Sequence, residues 1–436
     1  MDRPEVVILA GGFGTRLVPE IGKETPKSMA LVDGIPLLEH QINLCKRYGL
    51  KNILILVHYL SPVIINYFGN GSNFGVKLNY HREEIPRGTA GAIYDVCHLL
   101  SDNFIVIYGD TFLDVNLRRF IEAKKVDCQV LTFCHPNSHP YDSDILQIDE
   151  SNNVVDVFRP SKSSKKIYDN VVNAALYYIN KTVFTDFVSP HGIIDIASQL
   201  FPDLINKGIK VKAYKSVEYI KDFGTPDRYK EVNTQVALGI PEMLSTRIKR
   251  RCVFLDRDGV INYEVGHLSR IEDFELIPGA ASGIKKLNKA GYLAICVTNQ
   301  PVIARGELTL EGLNKIHQKM QVELGKEGAY LDEIIFCPHH PDSGFYGEVK
   351  ELKMECNCRK PAPGMIEESI LKFDIDRKSS WMIGDSSRDI DAGKAANIKT
   401  ILIRQNNYTK QKELKPNYIK NNLKDAVNLI LTCKKI

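Results

Sequence analysis

Short apolar runs alternate with helix-length stretches along the whole chain, and this alternation constrains the fold more than any other feature. In the first half the runs are 6–9, 53–57, 104–108, 130–133 and 174–179. In the second half they are 252–255, 293–297, 333–337, 380–383 and 399–403. Brief apolar runs bounded by turn residues and separated by helical patterns predict buried strands, so an α/β fold is expected throughout. At 436 residues the chain is too long for one average core. The stretch 238–251 carries Gly239, Pro241 and the basic run Lys249-Arg250-Arg251, and the motifs on its two sides are unrelated. Two domains are therefore expected, over 1–240 and 251–436, with 241–250 as a linker and the boundary near residue 246.

Charge and hydropathy exclude several classes of function. The net charge of +4 comes from 57 basic and 53 acidic residues, too even a balance to demand nucleic acid. Lys249-Arg250-Arg251 is expected to be solvated linker. No apolar stretch approaches the roughly 18 residues of a membrane span, and the run 6–10 is too short for a signal peptide. A cytoplasmic protein without nucleic-acid or membrane partners is expected. Cysteine usage agrees, because Cys45, Cys97, Cys128, Cys252 and Cys296 each stand alone in apolar segments.

In the first half, Val6-Val7-Ile8-Leu9 opens into Ala10-Gly11-Gly12-Phe13-Gly14-Thr15-Arg16-Leu17. Glycines let backbone approach a polyphosphate, and successive N–H groups can cradle its oxygens. Arg16 adds a fixed cationic fork. The spacing matches neither the Walker loop nor the dinucleotide fingerprint. Lys27, after Pro26, is placed to neutralise an α-phosphate under attack. Gly88 and Thr89, within Arg87-Gly88-Thr89-Ala90-Gly91-Ala92, suit close contact with a flat base. Asp110, after Gly109, and Asp222, in Asp222-Phe223-Gly224-Thr225-Pro226, are hard oxygen donors able to share a Mg²⁺.

Together these residues resemble the sugar-1-phosphate nucleotidyltransferase family over roughly 4–240, including a helical segment at 195–205. The resemblance implies a Rossmann-like domain in which a sugar 1-phosphate attacks the α-phosphorus of a nucleoside triphosphate and expels pyrophosphate. Arg16 and Lys27 would be catalytic, with Leu9, Gly11, Gly12, Gly14, Thr15, Gly88, Thr89, Asp110, Arg159 and Asn173 binding substrate. The family's usual Glu-Lys-Pro reads Phe158-Arg159-Pro160 here, which keeps the cation and loses the acid.

In the second half, the run 252–255 ends in Asp256-Arg257-Asp258-Gly259-Val260. Carboxylates at i and i+2 project to one side of an extended segment, so one can attack phosphorus while the other protonates the departing oxygen. Asp385, with Asp389 four residues on, suits a Mg²⁺ site shared with Asp256 and Asp258. Thr298 and Asn299 could bind phosphoryl oxygens, and Arg359 and Lys360 supply cations. Cys337, His339, Cys356 and Cys358 form two close pairs suited to a tetrahedral, structural Zn²⁺, with His340 as an alternative to His339.

This half resembles the haloacid-dehalogenase-like phosphatases over roughly 250–432, a Rossmannoid fold here carrying a zinc loop. The likeness makes Asp256 the phosphoaspartyl nucleophile, Asp258 the acid/base, Thr298 and Lys360 phosphate binders, and Asp385 a Mg²⁺ ligand. Within that family the zinc loop resembles heptose 1,7-bisphosphate 7-phosphatases and the similar histidinol-phosphate phosphatases. Two departures from the heptose branch are present: Pro301-Val302 replaces Ser-Gly, and Ser386 replaces a lysine.

The first half is similar to heptose 1-phosphate guanylyltransferases, and the two likenesses make consecutive steps. They imply a bifunctional enzyme using GTP and heptose phosphates on the way to GDP-heptose, with the base choice resting on the likeness. The alternative keeps both folds with a hexose 1-phosphate and a broad or histidinol-phosphate-type phosphatase. A reading in which one half is a non-catalytic assembly module conflicts with the full set of carboxylates. A homo-oligomer is expected by analogy with other nucleotidyltransferases.

Overall fold

The computed structural model describes residues 5–125, 127–189, 191–344, 346–404 and 415–433. The chain groups into two compact units, one of 1–135, 143–159 and 171–245, the other of 136–142, 160–170 and 246–436.

In the first unit Val6–Leu9 is flanked on both sides by parallel strands, Asn52–Val57 and Asn103–Tyr108. Lys77–Arg82 extends the sheet beyond Asn52–Val57. On the other side Val172–Asn180 runs antiparallel to Asn103–Tyr108 and leads to Val130–His135 and Val211–Lys215. Side chains alternate between the two faces. Val7, Leu54, Leu56 and Val106 enter one core, whereas Val6, Ile8, Ile53, Ile55, Ile105 and Ile107 enter the other. Burial on both faces is why these strands read as unbroken apolar runs.

The second unit is one parallel sheet in the order Glu333–Cys337, Leu293–Asn299, Cys252–Leu255, Trp381–Gly384, Lys399–Ile403, Tyr418–Lys420. Its central strand, Cys252–Leu255, delivers Asp256 between two neighbouring strand ends, at the switch point where open α/β sheets place their ligands. Helices Ala280–Lys289 and Leu423–Thr432 cover the sheet through Ile284, Leu287, Leu423 and Val427.

Each expected strand is present, extended by one to three residues or shifted by one where the bounds differ. The pattern missed Lys77–Arg82, Thr111–Asp114, Ile145–Ile148, Val154–Phe158, Val211–Lys215, Tyr219–Asp222 and Tyr418–Lys420. Several of these carry partly exposed polar positions, and Lys77–Arg82 and Tyr418–Lys420 end their sheets, so their apolar content is diluted. The last division between the units lies between Ser245 and Thr246, and 136–142 and 160–170, inside the expected first domain, group with the second unit. The expected linker is corrected in two ways. Residues 241–244 belong to the helix Ile240–Leu244, where Pro241 is buried and Met243 and Leu244 pack against the cluster of Leu17, Phe223 and Val232 in the first unit. The basic run is not a solvated tether: Arg250 is buried and donates to the Phe373 carbonyl at 2.8 Å, while Arg251 lies over the Tyr292 ring at 4.5 Å. Among the described residues no helix is long and apolar enough to cross a membrane.

Because Ile240 is a core residue of the first unit, Ile240→Ala should destabilise that unit by about 2–5 kcal/mol. The urea midpoint of the transition belonging to the first unit should fall, while that of the second unit stays in place.

Candidate active sites

A cavity of about 440 Å³ opens where Val6–Leu9 and Asn103–Tyr108 end side by side. Leu9, Gly11, Gly12, Gly14, Thr15, Arg16, Lys27, Gly88, Thr89 and Asp110 all line it, so the expected nucleotide residues converge. Gly14 has a left-handed φ of +62°, and a Cβ there would meet the Lys27 side chain at 2.8 Å. Its glycine both turns the loop and admits the lysine. Lys27 Nζ lies 2.5 Å from Asp110 Oδ2. Asp222 pairs with Arg228 at 3.0 Å, and the Phe223 N–H donates to the Asp110 carbonyl at 3.1 Å, so the two carboxylate-bearing segments lie side by side. Gly224 sits at the junction: a Cβ on it would come within 3.2 Å of Asp222 Oδ2 and 3.3 Å of Arg16 Nη2. Asp110 and Asp222, each paired with a cation, are hard oxygen donors of the kind Mg²⁺ prefers.

Sequence reasoning missed two residues of this site. Gln41 is fully buried and donates to the carbonyls of Tyr108 at 2.9 Å and Thr111 at 2.7 Å, which fixes the turn carrying Asp110. Glu83 lines the cavity with its carboxylate against Gly11, where a Cβ would approach Oε2 to 2.8 Å. Burial pushes the Glu83 carboxyl up, opposed by a hydrogen bond from the Arg87 N–H. The only sequence signal for Glu83 was its place just before the Arg87-Gly88 loop.

A second cavity, of about 630 Å³, also reaches Tyr108 and is lined by Arg159, Asn173, Tyr177, Asp144 and Asp195. Arg159 donates to Asp144 Oδ1 through Nε at 3.0 Å and Nη2 at 2.7 Å. The acid that Phe158 cannot supply thus comes from Asp144, next to the strand Ile145–Ile148 that pairs with Val154–Phe158. Asn173 is held by Tyr177 and Thr132 at 2.8 and 3.0 Å. Thr89 donates to Asp195 Oδ2 at 2.8 Å, tying the base loop to this second cavity.

In the second unit, Asp256, Asp385 and Asp389 bring one carboxylate oxygen each within 4.8 Å of one another. Buried Lys360 bridges two of them, 2.8 Å from Asp256 Oδ1 and 2.6 Å from Asp389 Oδ1. The other oxygen of Asp389 accepts from the Ser386 N–H and hydroxyl, capping the helix Ser387–Ala395. Burial and the neighbouring Asp389 charge raise Asp256 well above the carboxylate range. Burial, Asp389 and Glu264 push Asp385 up to about 7. Lys360, which burial alone would depress, is held up by Asp256 and Asp389. Crowded carboxylates of this kind fit a divalent cation, whose charge would relieve them.

Asp258, expected among the Mg²⁺ ligands, is outside this group, and Asp389 stands in it instead. Its carboxylate is turned to Arg257, Gln300 and Asn262, at 2.9–3.2 Å. Asn299, expected to bind phosphoryl oxygens, turns its side-chain amide to the Lys360 backbone. It donates to the Lys360 carbonyl and accepts from the Lys360 N–H, both at 2.9 Å, and so clasps the lysine backbone. Thr298 is buried at the same strand end. Arg359 donates to the His339 carbonyl at 3.2 Å.

The four expected soft ligands also come together, with five of their six ligand-atom distances at 3.2–3.6 Å and all within 4.8 Å, through Sγ of the cysteines and Nδ1 of His339. A tetrahedron with bonds of about 2.0–2.3 Å has edges of roughly 3.3–3.8 Å, so these positions fit one metal ion. His340 is excluded as the fourth ligand, because its Nδ1 accepts from the Asp342 N–H and its Nε2 faces Arg305.

A glycine-loop cavity on a mixed sheet and an aspartate cluster on a parallel sheet define a nucleotidyl transferase joined to an aspartate-based phosphatase. A family model described as nucleotidyl transferase matches residues 5–238, and one described as HAD-hydrolase-like matches 357–426. The D-glycero-alpha-D-manno-heptose-1,7-bisphosphate 7-phosphatase of Photorhabdus laumondii subsp. laumondii is 40% identical over 182 residues, 42% of this chain and 97% of that protein. The D-glycero-beta-D-manno-heptose-1,7-bisphosphate 7-phosphatase of Yersinia pestis is 39% identical over 180 residues, 41% of this chain and 94% of that protein. The solved structure of HddC from Yersinia pseudotuberculosis complexed with GMP-PN is 26% identical, covering 53% of this chain and 98% of that one, with a TM-score of 0.45. The chain belongs to the nucleotidyl transferase family through its first unit and to the heptose-1,7-bisphosphate 7-phosphatase family through its second.

Cys358 directly precedes Arg359 and Lys360, so removing an ion held by the four soft ligands should loosen both cations. Cys358→Ser is expected to remove one bound metal ion per chain, read by elemental analysis, and to lower phosphate release while leaving nucleotidyl transfer intact.

Proposed function

We propose that the chain performs two consecutive steps of GDP-heptose formation. The second unit removes the 7-phosphate of D-glycero-D-manno-heptose 1,7-bisphosphate, and the first transfers GMP from GTP to the resulting heptose 1-phosphate. The observation that carries this reading is the presence, in one chain, of a phosphatase unit 40% identical to a heptose bisphosphate 7-phosphatase and a nucleotidyl transferase unit. The product of the first reaction is a sugar 1-phosphate, which is what the second consumes.

In the phosphatase, Asp256 attacks phosphorus, the bond to the 7-oxygen breaks, and its electron pair takes a proton from Asp258. Asp258 then accepts a proton from the water that attacks the phosphoaspartyl phosphorus, freeing inorganic phosphate and the Asp256 carboxylate. Thr298 and Lys360 hold the phosphoryl oxygens. Mg²⁺ on Asp256, Asp385 and Asp389 would screen the meeting of anions, and Zn²⁺ on Cys337, His339, Cys356 and Cys358 would stiffen the loop that bears Lys360.

In the transferase, the loop 11–16 cradles the triphosphate and Lys27 and Arg16 stabilise charge building at the α-phosphate. Asp110 and Asp222 would hold the Mg²⁺ that accompanies the triphosphate. The sugar 1-phosphate lies in the second cavity, its phosphate on Arg159. Glu83 supports guanine as the base. Guanine alone among the common bases presents an imino N–H beside an amino group on its pairing edge, and a carboxylate accepts from both. Uracil and thymine offer one N–H between two carbonyls, and adenine and cytosine offer an amino group beside a bare ring nitrogen.

Asp256→Asn should abolish phosphate release from the bisphosphate and spare GMP transfer to heptose 1-phosphate, with both anomers supplied. Loss of both activities in a folded variant would overturn independent sites. Glu83→Gln should cost GTP about 1–3 kcal/mol of discrimination and admit UTP or TTP, whose carbonyl accepts from an amide. An unchanged nucleotide preference would remove Glu83 as the base reader.

A further inference from the structure

Arg257 stands between the two aspartates assigned to the phosphatase chemistry, and no role has been given to it. Its side chain is fully buried and is the largest among the fully buried side chains of the described residues. A buried guanidinium has to be paired and hydrogen-bonded to persist. Arg257 Nε and Nη2 donate to Asp258 Oδ1 at 3.2 and 3.0 Å, and Nη2 also approaches Asp258 Oδ2 at 2.9 Å. Its Nη2 further donates to Gln300 Oε1 at 3.1 Å. At the far end Nη1 donates to His317 Nε2 at 3.3 Å.

His317 comes from the helix Leu310–Lys326 and is itself buried, with its ring beside Phe336. Burial and the charge of Arg257 hold the imidazole well below its ordinary value, so it is neutral and its Nε2 is an acceptor. Gln300 completes the arrangement. Its carbonyl accepts a hydrogen bond from Arg257 Nη2, and its amide nitrogen donates to Asp258 Oδ2 at 3.0 Å and Thr298 Oγ1 at 2.8 Å. Every atom of this amide is committed, so its orientation follows from the network.

We infer that Arg257, Gln300 and His317 are positioning residues that set the carboxylate of Asp258 for proton transfer. The inference rests on the reading of Asp258 as the acid/base. Asp258 is held by the Arg257 guanidinium, and that guanidinium is fixed in turn by an acceptor on a separate helix. Gln300 ties the same carboxylate to the strand end that bears Thr298, so proton transfer and phosphoryl binding share one frame. Asn262, donating to Asp258 Oδ1 at 2.9 Å, closes the remaining side.

The test separates proton transfer from phosphoryl transfer in the full-length enzyme with Mg²⁺. With 2,4-dinitrophenyl phosphate the leaving group departs without a proton, so enzyme phosphorylation does not need Asp258, whereas hydrolysis of the phosphoaspartate does. Gln300→Leu and His317→Leu should keep a dinitrophenolate burst close to one per active site while steady turnover falls about 10- to 100-fold, within the roughly 10²–10⁴ that general acid–base catalysis supplies. Turnover of the heptose bisphosphate should fall at least as far. His317→Gln retains an acceptor for Arg257 and should recover most of the loss. Burst and turnover falling together, or turnover unchanged in both leucine variants, would overturn the inference. Asp258→Asn serves as the control: if it leaves turnover intact, the acid/base reading itself fails.

Discussion

Parallel strand pairing decides where both chemistries lie. Val6–Leu9 beside Asn103–Tyr108, and Cys252–Leu255 beside Trp381–Gly384, run in the same direction, so their carboxyl ends emerge together at one edge. Loops leaving that edge have nowhere else to converge. Gly11, Lys27 and Asp110 meet in one unit for this reason, and Asp256 and Asp385 meet in the other. The backbone hydrogen-bond pattern thus does work that no single side chain performs, since it brings residues a hundred positions apart within reach of one phosphate.

On this frame the second site is held by a few buried polar contacts. Lys360 joins Asp256 and Asp389, and Asn299 grips the Lys360 backbone from the neighbouring strand end. Cys358 belongs to a cluster that fits a metal ion two residues before that lysine. Placement of one ammonium therefore draws on a strand, a clustered cysteine loop and a helix cap. Such redundancy would suit a charge kept fixed beside a phosphoryl group, the role proposed for Lys360.

Much of this was legible in the sequence, because the chemistry sits on local motifs. The glycine loop, the aspartates at strand ends and the paired cysteines are each carried by a few consecutive residues. The rest depended on partners far away in the chain. Nothing near Arg159 pointed to Asp144 as its acid, and nothing near Asp110 pointed to Gln41 beneath its turn. Asp258 was grouped with the metal because i and i+2 share a side of an extended strand. Arg257, which periodicity assigns to the other side, instead folds back on Asp258 and removes its carboxylate from the cluster. Glycine, proline and basic residues favour solvent on average and so point to a linker over 241–250, whereas Pro241 and Arg250 are buried there.

Asp389 divides its two oxygens between different tasks, one capping a helix and the other facing Lys360. Gly384 leaves the space it occupies, since a Cβ there would lie 2.1 Å from that of Asp389. Fold and reactivity therefore share one carboxyl group and cannot be tuned separately at this position. A mutation that reshapes the charge of the site also frays the helix, so a lineage drifting toward new substrates must change elsewhere first.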